Sequence, residues 1–335
     1  MTRKERVKET IKHRKTDFVP WKFGFTVPAH KKMADYYNDE NFIKRIGNHI
    51  IGIEAKTEDA WEEVKPGFWK DEFGVIWNRT VDKDIGIVSN CIFEEPTINN
   101  GYKFPDPYKK GRFDKYTKFI DDNKEIFIMQ EIGFSLFERA WTLRGMENLL
   151  CDMMGNPEFT EDLLDAIVDY NLKIIEQAVK YPVDGIRFGD DWGQQTGMIM
   201  GPKLWRRFLK PRLAKMYGKV KEAGLPVFIH SCGNIEEVLP DLIEIGLDVY
   251  NPFQPEVINI YEVKKKYGDK LSFWGGVSTQ KLLPYGTPDD VKKEARKLIN
   301  EIGRGGGYIL APAHAIPGDV PLENILALID VVQNQ

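Results

Sequence analysis

The chain has 335 residues, 42% of them hydrophobic, and a formal net charge of −4. That length buries a sizeable core, and the mildly acidic balance gives no electrostatic footprint for nucleic acid or an anionic membrane. No apolar run approaches the ~18 residues needed to span a bilayer, and Met1-Thr2-Arg3-Lys4-Glu5-Arg6 is charged where a secretory signal would be apolar. Cys91, Cys151 and Cys232 are odd in number and far apart, so no disulfide framework is expected. The expectation is a cytoplasmic protein free of membrane and nucleic acid.

The elements alternate along the chain. A helix over Thr2 to His13 precedes an opening strand from Val19 to Phe25, and Ile50 to Ala55 reads as a second, weaker strand. Trp69 to Glu95 alternates like an antiparallel ribbon and reads as an insertion over the mouth of whatever the strands build. From Ile126 the pattern is regular. Strands at Ile126–Glu131, Asp184–Phe188, Pro226–His230, Leu247–Asn251, Leu271–Gly276 and Tyr308–Ala311 are each followed by a helical stretch. Helices are expected over Phe137 to Met154, over Pro157 to Lys180, from Pro202, from Asn234, near Ile258, from Thr287-Pro288-Asp289-Asp290 and near Pro321. Eight strands in this order close a (β/α)₈ TIM barrel, an α/β fold occupying residues 1–335 as one domain. An open doubly wound sheet competes, but Gly24 alone does not supply the glycine-rich phosphate turn such a sheet carries. Gly303-Arg304-Gly305-Gly306-Gly307 precedes a strand, not a helix, and reads as a connecting loop.

Barrel chemistry sits at the carboxyl ends of the strands. Those ends carry Glu131, Asp190 with Asp191 and Trp192, His230 with Cys232, Asn251 with Gln254 and Glu256, and His314. Imidazole and thiolate are preferred zinc ligands, and three protein ligands with one open position mark catalytic zinc sites. His230, Cys232 and His314 form such a set, since the fifth and eighth strand ends of a closed barrel can converge on one ion. Each alone reads more readily as a core histidine, a buried thiol or a solvated loop residue, and only jointly do they favour a metal site. Glu131, Asp190 and Glu256 are the candidate acids or bases; Asp190 and Asp191 have an alternative use as caps for the next loop. His13, His30 and His49 have no companions and read as surface residues.

The chain resembles the uroporphyrinogen decarboxylase superfamily. The resemblance runs through Arg3-Lys4-Glu5-Arg6-Val7 to Asp17-Phe18-Val19-Pro20-Trp21, Ala140-Trp141-Thr142-Leu143-Arg144-Gly145 and Pro321-Leu322-Glu323-Asn324-Ile325. It implies a (β/α)₈ barrel. The decarboxylases carry an arginine-rich motif after the first strand to grip propionates. Here Trp21-Lys22-Phe23-Gly24-Phe25-Thr26 has no arginine, which argues against a porphyrinogen substrate. The superfamily's zinc-dependent, corrinoid-linked methyltransferases carry His-x-Cys after the fifth strand and a Cys after the eighth. His230-Ser231-Cys232 matches the first part, and His314 stands in place of the second Cys. One thiolate with two imidazoles leaves a harder centre that suits an ether oxygen better than a thiol. The resemblance therefore implies a Zn²⁺-dependent methyltransferase of the O-demethylase kind, with the corrinoid carried by a separate protein. The methyl ether is expected among Trp21, Phe23, Phe25, Trp192 and Phe253, with Asp191, Asn251 and Gln254 as polar contacts. A metal-independent decarboxylase or lyase, and a non-catalytic corrinoid or aromatic-ligand binder, are the alternatives.

Overall fold

The computed structural model describes residues 1–335. Strand β1 (Ile50–Glu54) is followed by an antiparallel sheet of β2 (Trp61–Lys65), β3 (Phe68–Asp71), β4 (Ile76–Asn78) and β5 (Ile87–Val88). Then come β6 (Phe127–Ile132), β7 (Gly185–Gly189), a hairpin of β8 (Gly193–Gln194) and β9 (Gly197–Met198), and β10 (Val227–His230). Strands β11 (Val249–Phe253), β12 (Ser272–Val277) and β13 (Tyr308–Pro312) complete the set. Seven strands pair in parallel in the order β1-β6-β7-β10-β11-β12-β13, the arrangement a chain of strand–helix units produces.

The expected opening strand is present only in outline. Residues 20–26 fill the seam between β13 and β1, but as two isolated bridges, Trp21 to Leu310 and Phe25 to Ile316. Lys22 N donates to Leu310 O (3.1 Å) and Leu310 N to Pro20 O (2.8 Å), while on the other side His49 N donates to Trp21 O (2.9 Å). Pro20 has no N–H to offer a ladder, and the Asn48 side chain replaces a backbone partner, accepting from Phe23 N (2.8 Å) and donating to Phe23 O (3.0 Å). The barrel is thus closed by seven regular strands and one irregular segment.

Side chains alternate across every strand, so each contributes one set of residues to the barrel interior and another to the helix layer. The interior set forms a small apolar plug that includes Phe127, Met129, Phe228, Val249, Trp274 and Ile309, reached from below by Val7 of the first helix. One step further along the same inward rows stand Glu131, Arg187, His230 and Asn251, which line a cavity above the plug. The outward set belongs to a core of 72 buried residues between barrel and helices.

Several boundaries depart from the sequence reading. The ribbon begins at Trp61 rather than Trp69 and its last strand ends at Val88, because the tight turn at Gly67 (φ +77°) pairs β2 with β3. The helix expected over Phe137 to Met154 is two, Phe137–Arg144 and Met146–Gly155, broken at Gly145 (φ +87°). After Asn234 the chain forms a short 3₁₀ turn before the helix Leu239–Glu244. Thr287 caps the helix Pro288–Glu301 through a capping box with Asp290, as its sequence suggests. His49 is not a surface residue: it is buried, and its Nε2 lies 2.8 Å from Arg6 Nη1. His13 and His30 are half-buried.

Candidate metal centre

Strand β10 ends at His230, whose backbone pairs with Asn251 of β11 on one side and Gly189 of β7 on the other. That ladder position sets the imidazole. Its Nδ1 is 2.6 Å from Asn251 Oδ1, and the Asn251 amide is itself anchored by donating Nδ2 to Trp274 O (2.9 Å). An amide oxygen only accepts, so Nδ1 carries the proton and Nε2 presents its lone pair to the cavity. This is the orienting contact that metal-ligating histidines use.

Two residues on, Cys232 Sγ lies 3.4 Å from His230 Nε2. The Cys232 backbone is held by Asp191, whose Oδ1 accepts its N–H at 2.8 Å and stands 4.0 Å from His230 Nε2. The loop packs against the β8–β9 hairpin without room for a side chain. A Cβ on Gly233 (φ +81°) would lie 2.2 Å from the Gly193 carbonyl carbon, and Gly193 donates N–H to Cys232 O (3.1 Å). His314 arrives from beyond β13. Its loop is laced to residues 24–26, with Ile316 N donating to Gly24 O (2.9 Å) and Thr26 N to Ile316 O (3.0 Å). The ligand atoms of His230, Cys232 and His314 all lie within 4.8 Å of one another. Two imidazoles and one thiol that close fit a single zinc ion, and Asp191 is the carboxylate near a fourth position.

Electrostatics agrees. Burial pulls the His230 imidazole down to about 4, helped by the Arg187 and His314 charges, so it is neutral and able to ligate at neutral pH. Burial first, and the Asp191 carboxylate next, push the Cys232 thiol up. A thiol so placed ionises only beside a cation.

The cavity has a volume of about 920 Å³ and is lined by His230, His314, Asp191, Asn251 and Glu131 among the expected residues. Glu131 is ion-paired with Arg187 (2.5 Å). Others lie elsewhere. Asp190 is wholly buried on the outward side: its carboxylate accepts from Leu136 N (3.2 Å), Phe137 N (3.0 Å), Glu138 N (2.8 Å) and Trp192 Nε1 (2.5 Å). It is a helix cap. Trp192 is buried with it, packed edge-on against Trp205. Trp21, Phe23 and Phe25 do not line the cavity, since alternation turns them outward and leaves Lys22 and Gly24 facing in. Phe253 stacks on Phe273 (4.3 Å between centroids), and Gln254 is buried, its Oε1 3.4 Å from Gly233 N. Glu256 accepts from Ser278 Oγ in a separate pocket beneath the helix Pro288–Glu301.

Three cavity residues escaped the sequence reading. Lys22 was hidden between two aromatics, and burial lowers its ammonium to about 8. Arg187 sits mid-strand, its guanidinium 5.4 Å from the Trp274 ring centroid. Glu138 lies in the first turn of the helix after β6. Burial, then the Asp191 and Asp190 charges, raise its carboxyl well above the usual range. An inward i, i+2 count from His230 along neighbouring strands would have found Arg187.

No helix is long and apolar enough to cross a membrane. The chain is 23% identical over 67% of its length to a methylated-thiol–coenzyme M methyltransferase of Methanosarcina mazei. It is 31% identical over 50% of its length to the methylcobamide:CoM methyltransferase MtaA of Methanosarcina barkeri. The matches span 57% and 47% of those relatives, about half their length. A solved methyltransferase from Methanosarcina mazei superposes with a TM-score of 0.75 at 19% identity, covering 100% of this chain and 99% of that one, which shows a shared fold. Residues 134–335, more than half of the chain, match the family described as Uroporphyrinogen decarboxylase (URO-D), and the chain belongs to that family.

Proposed function

We propose that the protein is a zinc-dependent methyltransferase that moves a methyl group from an aryl methyl ether to the cobalt of a corrinoid carried by a separate protein. The observation that carries this reading is the convergence of His230, Cys232 and His314 ligand atoms within 4.8 Å at the mouth of the barrel. Similarity to a methylcobamide:CoM methyltransferase supports the corrinoid link. Zinc in this set would supply Lewis acidity to the leaving oxygen, and a single thiolate keeps that acidity high.

The protein's own residues do the rest. Asn251 fixes the tautomer of His230, and Asp191 holds the Cys232 backbone. Glu138, a cavity carboxyl whose hold on a proton is strengthened by burial and by its acidic neighbours, is the group assigned to the proton the leaving oxygen takes up. Arg187 neutralises Glu131 on the cavity floor. The residues that make this site span the barrel, so the corrinoid partner docks over the mouth.

The test is metal analysis joined to methyl transfer. Wild-type protein purified without chelator should hold one zinc per chain and methylate a reduced corrinoid protein from 1,2-dimethoxybenzene. Cys232→Ala and His314→Ala should lose both properties. A Cys232→Ala protein with full zinc would remove the assignment, and a metal-free wild type that releases CO₂ from a carboxylated substrate would replace it with a lyase.

A further inference from the structure

A second cavity adjoins the first. It has a volume of about 350 Å³ and lies between the β2–β5 sheet and the barrel. Both cavities are lined by Glu131, Gly133 and Phe134, so they meet at the end of β6. The walls of this side chamber are aromatic: Trp61, Phe73, Trp77 and Phe134, backed by Ile132 and Ile174. Trp77 meets Trp61 edge-on at 6.4 Å and Phe134 edge-on at 5.1 Å. Those T-shaped contacts turn ring edges to one another and hold the aromatics as a rigid box.

Charge within the chamber is already balanced. Glu54 pairs with Lys56 (2.6 Å), Asp71 with Arg139 (2.9 Å), Glu72 with Arg112 (2.5 Å) and Glu131 with Arg187 (2.5 Å). The remaining two, Asp84 and Arg79, are of opposite sign, and each is tied to backbone, Asp84 to Val27 N and Arg79 to Ile85 O. One face of Trp61 is covered by Arg79 at 4.3 Å and one face of Phe73 by Arg139 at 3.9 Å, so those faces are closed to a ligand cation. Only Asp84 and Arg79 stand outside ion pairs, and apolar side chains supply the larger part of the wall. A neutral, flat, apolar ligand is what such a space takes, and an apolar cavity of about 150 Å³ suffices for benzene.

Phe134 carries a second, independent mark. Its φ is +50°, a left-handed conformation rare for a bulky residue. The strain is held in place on its far side, where Ser135 N donates to Gly189 O (2.8 Å) and Asn171 Nδ2 donates to Ser135 O. A phenyl ring kept in a costly conformation at the junction of two cavities points to use by a ligand.

We infer that this chamber binds the uncharged aromatic ring of the methyl donor, with its methoxy group directed past Phe134 into the cavity lined by His230 and His314. The inference rests on the methyltransferase reading above for the identity of the donor. The ring site itself needs no metal.

Calorimetric titration with 1,2-dimethoxybenzene, without a corrinoid partner, tests it. Wild type and Glu256→Gln should bind with dissociation constants within about threefold of each other, while Trp61→Ala and Phe134→Gly should bind at least about tenfold more weakly, the loss of one aromatic wall. Trp61→Phe should recover most of the affinity. Glycine adopts φ +50° without strain, so an unchanged or raised unfolding midpoint for Phe134→Gly separates lost binding from lost fold. Tetramethylammonium should not compete. If it does, or if dimethoxybenzene binds the chamber variants as it binds wild type, the inference is wrong. Ring binding in a protein that retains no zinc would sink the methyltransferase reading and leave the chamber. Methyl transfer from methanol, with no binding of dimethoxybenzene, would do the reverse.

Discussion

Asp190 has the hydrogen-bonding pattern of a structural anion, and Asp190→Ala measures that role. Its carboxylate takes three consecutive backbone N–H groups at the start of helix Phe137–Arg144, at 3.2, 3.0 and 2.8 Å, and the Trp192 indole at 2.5 Å. Three of the four are buried and the one from Glu138 N is partly so, and truncation leaves these donors without their partner. An unsatisfied buried donor costs about 1–3 kcal/mol and a lost N-cap about 1 kcal/mol, and partial relaxation reduces the sum to about 3–5 kcal/mol. Asp190→Asn keeps one acceptor oxygen but turns an NH₂ toward two donors, and should cost about 2–3 kcal/mol. Urea unfolding followed by tryptophan fluorescence gives both values, and zinc content of the folded fraction gives the second readout. Folded Asp190→Asn should retain its metal, because neither carboxylate oxygen faces the ligand set. A variant with a wild-type unfolding midpoint and no turnover would show that Asp190 acts on substrate, and the reasoning would fail.

Gly233→Ala should fold poorly or lose zinc, since its Cβ would collide with the Gly193 carbonyl carbon at 2.2 Å; a fully metallated, stable G233A would show that the hairpin yields. His49 gives a pH signature. Burial and the Arg6 charge lower its imidazole from 6.5 to about 3, so the folded state takes up the proton later than the unfolded state as pH falls. Its contribution is complete above pH 6.5 and declines toward pH 3. The stability difference between wild type and His49→Gln should therefore narrow by about 2.5 kcal/mol from pH 7 to pH 4.5, and a pH-independent difference would count against it. Glu256→Gln should leave zinc content and methyl transfer unchanged, because that carboxylate is spent on Ser278 and Gln280 outside the mouth; a tenfold loss of turnover would contradict its placement.

Much of the fold was legible because parallel strands buried on both faces leave short apolar runs, and six of them lie after Ile126. The convergence of three candidate ligands was legible for a related reason: His230 and Cys232 end one such run, and His314 follows another. The lining of the cavity was not. Trp21 and Phe23 read as its walls from the opening segment, yet the inward positions there are Lys22 and Gly24. A one-residue phase decides the face, and an irregular segment bridged at only two points gives no periodicity from which to read it. Asp190 and Asp191 show the same limit. Adjacent and chemically identical, they point to opposite sides of the barrel wall. One caps a helix, and the other holds the Cys232 backbone. Among the aromatic walls of the side chamber, Phe73 and Trp77 lie in the expected ribbon, whose alternation announced strands but not what they would cover.

Residues 24–26 hold the loop that carries His314, across a separation of 290 positions between Thr26 and Ile316. During synthesis His230 and Cys232 emerge about eighty residues ahead of His314, and His314 has no fixed place until the earliest part of the polypeptide is stitched to the latest. On the zinc reading, metal loading waits for both ends of the barrel to be joined.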